Sequence, residues 1–268
     1  MNPLLEDFNT APFSKITIAD YKPAIKKAIK ITKQEIEAIV SNSETPTFQN
    51  TTEALDFTGQ KLGRISGIFF NINAAETSKE IQEIAKDISP WLSEFKNDMI
   101  LNADLFKRVK SVYNLKNSLD LNPEESMLLE KQYKGFSRNG ANLNDSEKDQ
   151  LRKIDAQLSK LSLEFGEHVL ADGNAFEMHL TNENDLAGLP DSVKEAAHLI
   201  AKQKEKKGWV FTLDYPSYVP FMTYADSRDL RKKLSIAFGK KGFQNNENNN
   251  EQVVIDIVNL RHKRANLL

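Results

Sequence analysis

From residue 20 to residue 133 the apolar side chains return at steps of three and four. A succession of amphipathic helices is the arrangement that turns that spacing into buried faces. The first helix opens at Asp20 with Pro23 in its first turn; Ile25, Ile29, Ile36 and Val40 share one side and lysines take the other. Thr77 with Glu80, Asn122 with Pro123 and Glu125, and Asn144 with Glu147 have the spacing of capping boxes and predict three helix starts. Pro90 falls inside the run 81–100, where its missing N–H predicts a kinked or divided helix. A long helix is expected from about 145 to 170.

The period then changes. Ala171-Asp172-Gly173-Asn174 reads as a turn, and Phe176, Met178 and Leu180 alternate at period two, which predicts a short strand. A second strand, 209–213, follows a helix that starts near Pro190 and stops at Gly208. Two strands alone are marginally stable, so they must pack on helices. The Asn-rich stretch 244–250 reads as a polar loop between a helix ending near Phe238 and a last helix starting near Glu251. The expected fold class is mainly α, a multi-helix array with a small two-stranded β element near residues 175–213. The expected division is a helical lobe at 1–170, a strand-helix-strand segment with its following helices at 171–243, the loop at 244–250, and a helix at 251–268. That last helix carries Val253, Val254, Ile257 and Leu260 and reaches Leu267 and Leu268 without a stop signal. It reads as the start of a truncated helix leading on to an absent region.

Charge and composition narrow the function classes. At 40% hydrophobic and 28% charged, the 268 residues suffice for a real core. Lys and Arg number 36 against 38 Asp and Glu, so no positive field exists to draw nucleic acid or anionic lipid, and neither partner is expected. No window approaches the roughly 18 apolar residues of a membrane span. The opening Met-Asn-Pro-Leu-Leu-Glu-Asp has neither the basic nor the apolar part of a signal sequence. A cytoplasmic location is expected, with a removed amino-terminal leader replaced by a new Met as the alternative. Cysteine is absent, which removes disulfides and thiolate chemistry.

A zinc hydrolase needs two or three imidazole or carboxylate ligands that converge, most simply supplied as His-Glu-x-x-His. That pentad does not occur. His168 sits in Phe165-Gly166-Glu167-His168-Val169-Leu170, with Glu and His reversed and no second His one turn away. His179 alternates outward from its strand, and His198 and His262 stand alone on helices, as solvated faces and helix ends. There is no Gly-x-Ser-x-Gly elbow. Gly59, Gly63 and Gly67, at steps of four, read as a flat helix face for close helix packing. Glu124-Glu125, and Glu35 with Glu37, read as solvated carboxylates. No catalytic residue, metal ligand or substrate contact is assigned.

Read as text, the chain resembles the amino-terminal half of the thimet oligopeptidase family of zinc metallopeptidases, most closely its bacterial peptidyl-dipeptidase branch. The runs that carry this are Asn2-Pro3-Leu4-Leu5, Ala11-Pro12-Phe13 with Ile16, Tyr21-Lys22-Pro23-Ala24, and above all Pro46-Thr47-Phe48-Gln49-Asn50-Thr51 with Ala54-Leu55 and Gly59. Then come Leu101-Asn102, Leu105-Phe106-Lys107-Arg108-Val109, Ser118-Leu119 through Pro123-Glu124, and Phe136-Ser137-Arg138-Asn139-Gly140-Ala141 with Leu143. Residues 158–165, 186–189, Leu260-Arg261, Arg264-Ala265 and Leu267-Leu268 complete the order. The resemblance implies a neurolysin-like amino-terminal lobe forming one wall of a channel that limits substrate size. It also implies a full-length parent that hydrolyses short peptides with zinc, releasing carboxyl-terminal dipeptides. The zinc ligands and catalytic Glu belong to a carboxyl-terminal catalytic region of the same polypeptide, so this chain alone is expected to be inactive, without zinc. The alternative is a free-standing helical module that binds peptides or a protein without catalysis. A third reading builds a metal site from the scattered histidines.

Overall fold

The computed structural model describes residues 2–268. Its helices are α1 Tyr21–Val40, α2 Ala54–Asp56, α3 Gln60–Ala75, α4 Lys79–Ile100, α5 Ala103–Asn114, α6 Pro123–Ser137, α7 Asp145–Ala175, α8 Asp191–Gln203, α9 Tyr215–Tyr224, α10 Arg228–Gly239 and α11 Glu251–Leu267. Two strands, β1 Met178–Leu180 and β2 Trp209–Phe211, pair antiparallel with Met178 opposite Phe211 and Leu180 opposite Trp209. The chain is thus mainly α with one small two-stranded sheet. It forms two compact units, residues 1–163 with 258–268, and residues 164–257.

In the first unit α1 lies against α3, α4 and α5. Ile25, Ile65, Phe69, Ile88, Leu105 and Val109 are fully buried there. Each such side chain contributes roughly 1.5–3 kcal/mol by leaving water. Tyr21 meets Phe69 edge to face at 5.1 Å. The Asn122–Glu125 and Asn144–Glu147 boxes form, each with reciprocal backbone-to-side-chain bonds.

Several local expectations need correction. The first helix does open at Asp20, its cap residue, with Tyr21 as the first helical residue, but the Asp20 carboxylate turns back to the Thr17 N–H at 2.8 Å and closes a capping box one turn earlier. The cap of α4 is Ser78, whose Oγ accepts from Ile81 N at 3.2 Å, while the Thr77 hydroxyl faces Asn73. Helix α4 continues undivided through Pro90, because Ile81, Ile84, Ala85 and Ile88 before it and Phe95 after it bury one continuous face. Gly63 and Gly67 do not mediate close packing, since a Cβ at either would meet nothing within 4 Å. Only Gly59 of that trio is needed as glycine: it has φ +75° beside Thr32 and donates its N–H to Glu35 at 2.9 Å.

The second unit gathers Met178, Leu186, Phe211, Phe221 and Leu234 into its core, with the Phe211 and Phe221 rings 4.6 Å apart. The predicted turn 171–174 is the last turn of α7, and the reason lies in Asp172, described below. Helix α8 stops at Gln203 instead of Gly208, because Glu205 adopts φ 56° and Lys206 N returns to Ala201 O at 2.8 Å. The strand 209–213 is shorter than its apolar run, since Thr212 N bonds the Ser217 hydroxyl at 3.0 Å and leads into α9.

Candidate functional site

The sequence runs singled out above converge in space at particular side chains. Thr47 and Asn50 cap each other across a π-helical turn, Phe48–Glu53, a rare conformation. Phe48 is buried against Val112 and Leu129. Arg108, 8% exposed, enters from α5 and donates Nη1 to Asn42 O at 2.7 Å and Glu44 O at 3.3 Å, and Nη2 to Asn50 Oδ1 at 3.2 Å. A planar guanidinium suits this job because its fork of donors reaches several acceptors at once. The most specific run in the sequence therefore meets the Leu105–Val109 run in a scaffold joint.

A second convergence forms a polar cleft of about 380 Å³ between α4, α7 and α11, wholly inside the first unit. Arg264 donates Nε to Asp155 Oδ1 at 2.8 Å and Nη2 to Asn139 Oδ1 at 3.1 Å, tying α11 to α7 and to the segment after α6. Asn139 is held in turn by its amide on Gly135 O at 2.7 Å. Lys96, Asn97, Ser159 and Arg261 also line the cleft. Elsewhere between α4 and α7, Asp98 takes Lys33 and Arg152, each at 2.8 Å. Burial raises the Asp98 carboxyl, but these two cations outweigh it and hold the group below its ordinary range.

The histidines do not meet. His168 Nδ1 lies 2.8 Å from Asn250 Oδ1, His179 Nε2 2.6 Å from Lys207 O, His198 Nδ1 3.0 Å from Gly208 O, and His262 Nε2 2.9 Å from the Asn266 amide. His179 faces outward from β1, as its alternation predicts. Among the described residues no group of three His, Asp or Glu lies close enough to hold a metal ion. These residues do not fit a zinc centre, because each imidazole is committed to a separate partner and ligation requires convergence.

Two features escaped the sequence reading. Asp172, read as a turn residue, is 3% exposed and accepts four hydrogen bonds: from Gly242 N and Asn246 Nδ2 at 2.8 Å, Asn248 Nδ2 at 2.9 Å and Gln244 Nε2 at 3.3 Å. The Asn-rich stretch is thus an ordered loop built around one carboxylate, and its unusual number of carboxamides was the available signal. The cleft was missed because its lining residues come from segments far apart in sequence, and no local period announces them.

The architecture and its cleft define the class first: a mainly helical chain with a small sheet and sequence runs that serve as tertiary anchors. No family model matches it. Along its full length it is 30% identical over 271 residues to oligopeptidase A of Escherichia coli (strain K12), covering 40% of that protein. It is also 30% identical over 277 residues to dipeptidyl carboxypeptidase of the same strain, again covering 40%. The organellar oligopeptidase A of Arabidopsis thaliana, chloroplastic/mitochondrial, is 27% identical over the whole chain, which covers 34% of it. Over its entire length the chain is similar to these peptidases. It spans about 40% of the length of the bacterial relatives named here. Among the described residues no helix is long and apolar enough to cross a membrane.

Proposed function

We propose that this chain is the non-catalytic helical lobe of a zinc-dependent oligopeptidase that hydrolyses short peptides in the cytoplasm. The observation that carries the reading is the full-length similarity to two peptidases at equal identity, 30% in each case. In this reading the lobe forms a channel wall that admits only short, unfolded peptides. Catalysis and zinc belong to the carboxyl-terminal region of the same polypeptide, and no chemical step is assigned to any residue of this chain. The name of one relative, dipeptidyl carboxypeptidase, supports release of carboxyl-terminal dipeptides, while that of the other, oligopeptidase A, leaves internal cleavage as the competing specificity.

The surface of α11 supports a partner region in the same polypeptide. Its Val253 side is buried, yet Val254, Ile255 and Val258 on the other side are exposed by 44%, 47% and 58%. A helix apolar on both sides is suited to burial between neighbours. The test compares residues 1–268 with the complete polypeptide on a set of fluorogenic peptides of increasing length. The complete polypeptide is expected to cleave short peptides, to lose activity to a zinc chelator, and to reject folded proteins; residues 1–268 are expected to cleave nothing. Hydrolysis by residues 1–268 that persists through repurification would overturn the proposal.

A further inference from the structure

Asn139-Gly140 is the single Asn-Gly pair in the sequence. Glycine after asparagine is the order most open to attack by the backbone nitrogen on the preceding carboxamide, because no side chain shields that nitrogen. The pair lies in the turn between α6 and α7, where Gly140, at φ +99°, closes α6. Asn139 N and Ala141 N both donate to Phe136 O at 3.1 Å, while the Gly140 N–H between them has no backbone partner among the described residues. The nucleophile of the reaction is thus uncommitted.

The carboxamide is what restrains it. Asn139 is half-buried, its Nδ2 donates to Gly135 O at 2.7 Å, and its Oδ1 accepts from Arg264 Nη2 at 3.1 Å. The second bond comes from α11, 125 positions on, and Arg264 is itself fixed by Asp155 at 2.8 Å. Ring closure turns the carboxamide towards the Gly140 nitrogen and so breaks both bonds. The bond from the guanidinium is the stronger restraint, because its donor is charged.

We propose that Asn139 is a site of spontaneous deamidation held in check by Arg264. The Gly140 nitrogen bonds to Asn139 Cγ, the Cγ–Nδ2 bond breaks, and ammonia leaves with the proton that Gly140 gives up. Water then opens the succinimide at either carbonyl, leaving aspartate or isoaspartate at position 139. Either product lacks the N–H that Gly135 O accepts. Isoaspartate also adds a methylene to a turn with no room for one, since a Cβ on Gly140 would sit 2.6 Å from Leu151 Cδ2. Conversion therefore loosens the junction that α11 holds, and its rate reports how firmly Arg264 stays seated. The site lies wholly in the first unit and does not depend on the peptidase reading.

The test incubates the 268-residue chain at mildly alkaline pH, below its unfolding temperature, beside a synthetic peptide of residues 132–144 as the unrestrained reference. Digestion and mass spectrometry follow the amide-to-carboxyl mass change at position 139, and chromatography separates aspartate from isoaspartate. The parent chain should convert at least tenfold more slowly than the peptide. Arg264→Gln should convert about tenfold faster than the parent, the effect of removing one charge-assisted hydrogen bond. Leu129→Ala removes a buried side chain packed with Phe48 and Val112, loosening the same unit without touching Asn139, and should convert at close to the parent rate. The proposal is overturned if the parent converts as fast as the peptide, if Arg264→Gln is no faster than the parent, or if Leu129→Ala accelerates conversion as much as Arg264→Gln.

Discussion

The Asp172 carboxylate, on the last turn of α7, accepts the backbone N–H of Gly242 at 2.8 Å across 70 positions of sequence. The same two oxygens take the carboxamides of Gln244, Asn246 and Asn248. A few residues on, Asn250 bridges from the loop back to α7, donating to Phe165 O at 3.1 Å and meeting His168 Nδ1 at 2.8 Å. The loop and helix end are therefore one hydrogen-bonded body, and polar side chains do there what an apolar core does elsewhere.

Replacing Asp172 tests that statement. Asp172→Asn keeps the size but presents donors to donors, and should cost about 2–4 kcal/mol in urea unfolding at neutral pH. Burial raises the Asp172 carboxyl, but the donors of Asn248, Asn246, Gly242 and Gln244 together outweigh it and hold it below its ordinary range. A depressed carboxyl contributes stability above its unfolded value, near 3.9 or so, and loses that contribution as pH falls through its folded value. The stability gap between parent and Asp172→Asn should thus be constant above about pH 5 and shrink below about pH 4. A gap that persists unchanged at low pH would refute the carboxylate's role.

Arg108→Lys should behave as a disruptive substitution. One ammonium cannot replace the fork that reaches Asn42 O, Glu44 O and Asn50 Oδ1 together. We expect a loss of roughly 2–3 kcal/mol, because carbonyls in a shielded site lose a charge-assisted partner. Chemical denaturation with an unchanged m-value reads it, and a loss below half a kcal/mol would rule out the joint as a stability element.

Glycines give a paired prediction of opposite sign. Gly188 has φ +84°, and a Cβ there would sit 2.2 Å from Tyr224 O, a backbone atom; Gly67, in α3, has nothing within 4 Å. Gly188→Ala should destabilise by about 2 kcal/mol or more, through strain that the backbone cannot relieve. Gly67→Ala should stabilise by about 0.5–1 kcal/mol through helix propensity. Thermal unfolding of the two variants beside the parent decides both.

Glu177 should titrate far below an ordinary glutamate. Hydrogen bonds from Lys204 first and Lys206 second bring its carboxyl down to about 2. Carbon-detected NMR titration of its side chain should place the midpoint there, and the Lys204→Met, Lys206→Met double variant should return it towards the ordinary value. Because the folded value is depressed, the contribution of this cluster is present above the unfolded value and lost as pH falls towards 2.

Much of the fold was legible because helices and strands write their periods into the chain. The α1 face of Ile25 and Ile36, the caps at Asn122 and Asn144, and the alternation of Met178, His179 and Leu180 are all local relationships. Where the reading failed, a long-range interaction outweighed a local signal. Burial on both sides of Pro90 kept α4 from dividing there, and four bonds to Asp172 kept Ala171-Asp172-Gly173-Asn174 helical against its turn composition. The small-residue step in α3 misled for the converse reason: composition allows close approach but does not supply a neighbour.

By itself the sequence determined the mainly helical class, the two-stranded element, most helix starts and the likeness to thimet-type oligopeptidases, because periodicity, capping and recurrent runs lie along the chain. Only the tertiary structure decided that Asn50 meets Arg108, that Arg264 closes on Asp155, and that Asp172 gathers the loop that follows α10. Those facts join residues tens of positions apart. Such pairings are chosen by packing of the whole core, and no local pattern encodes them.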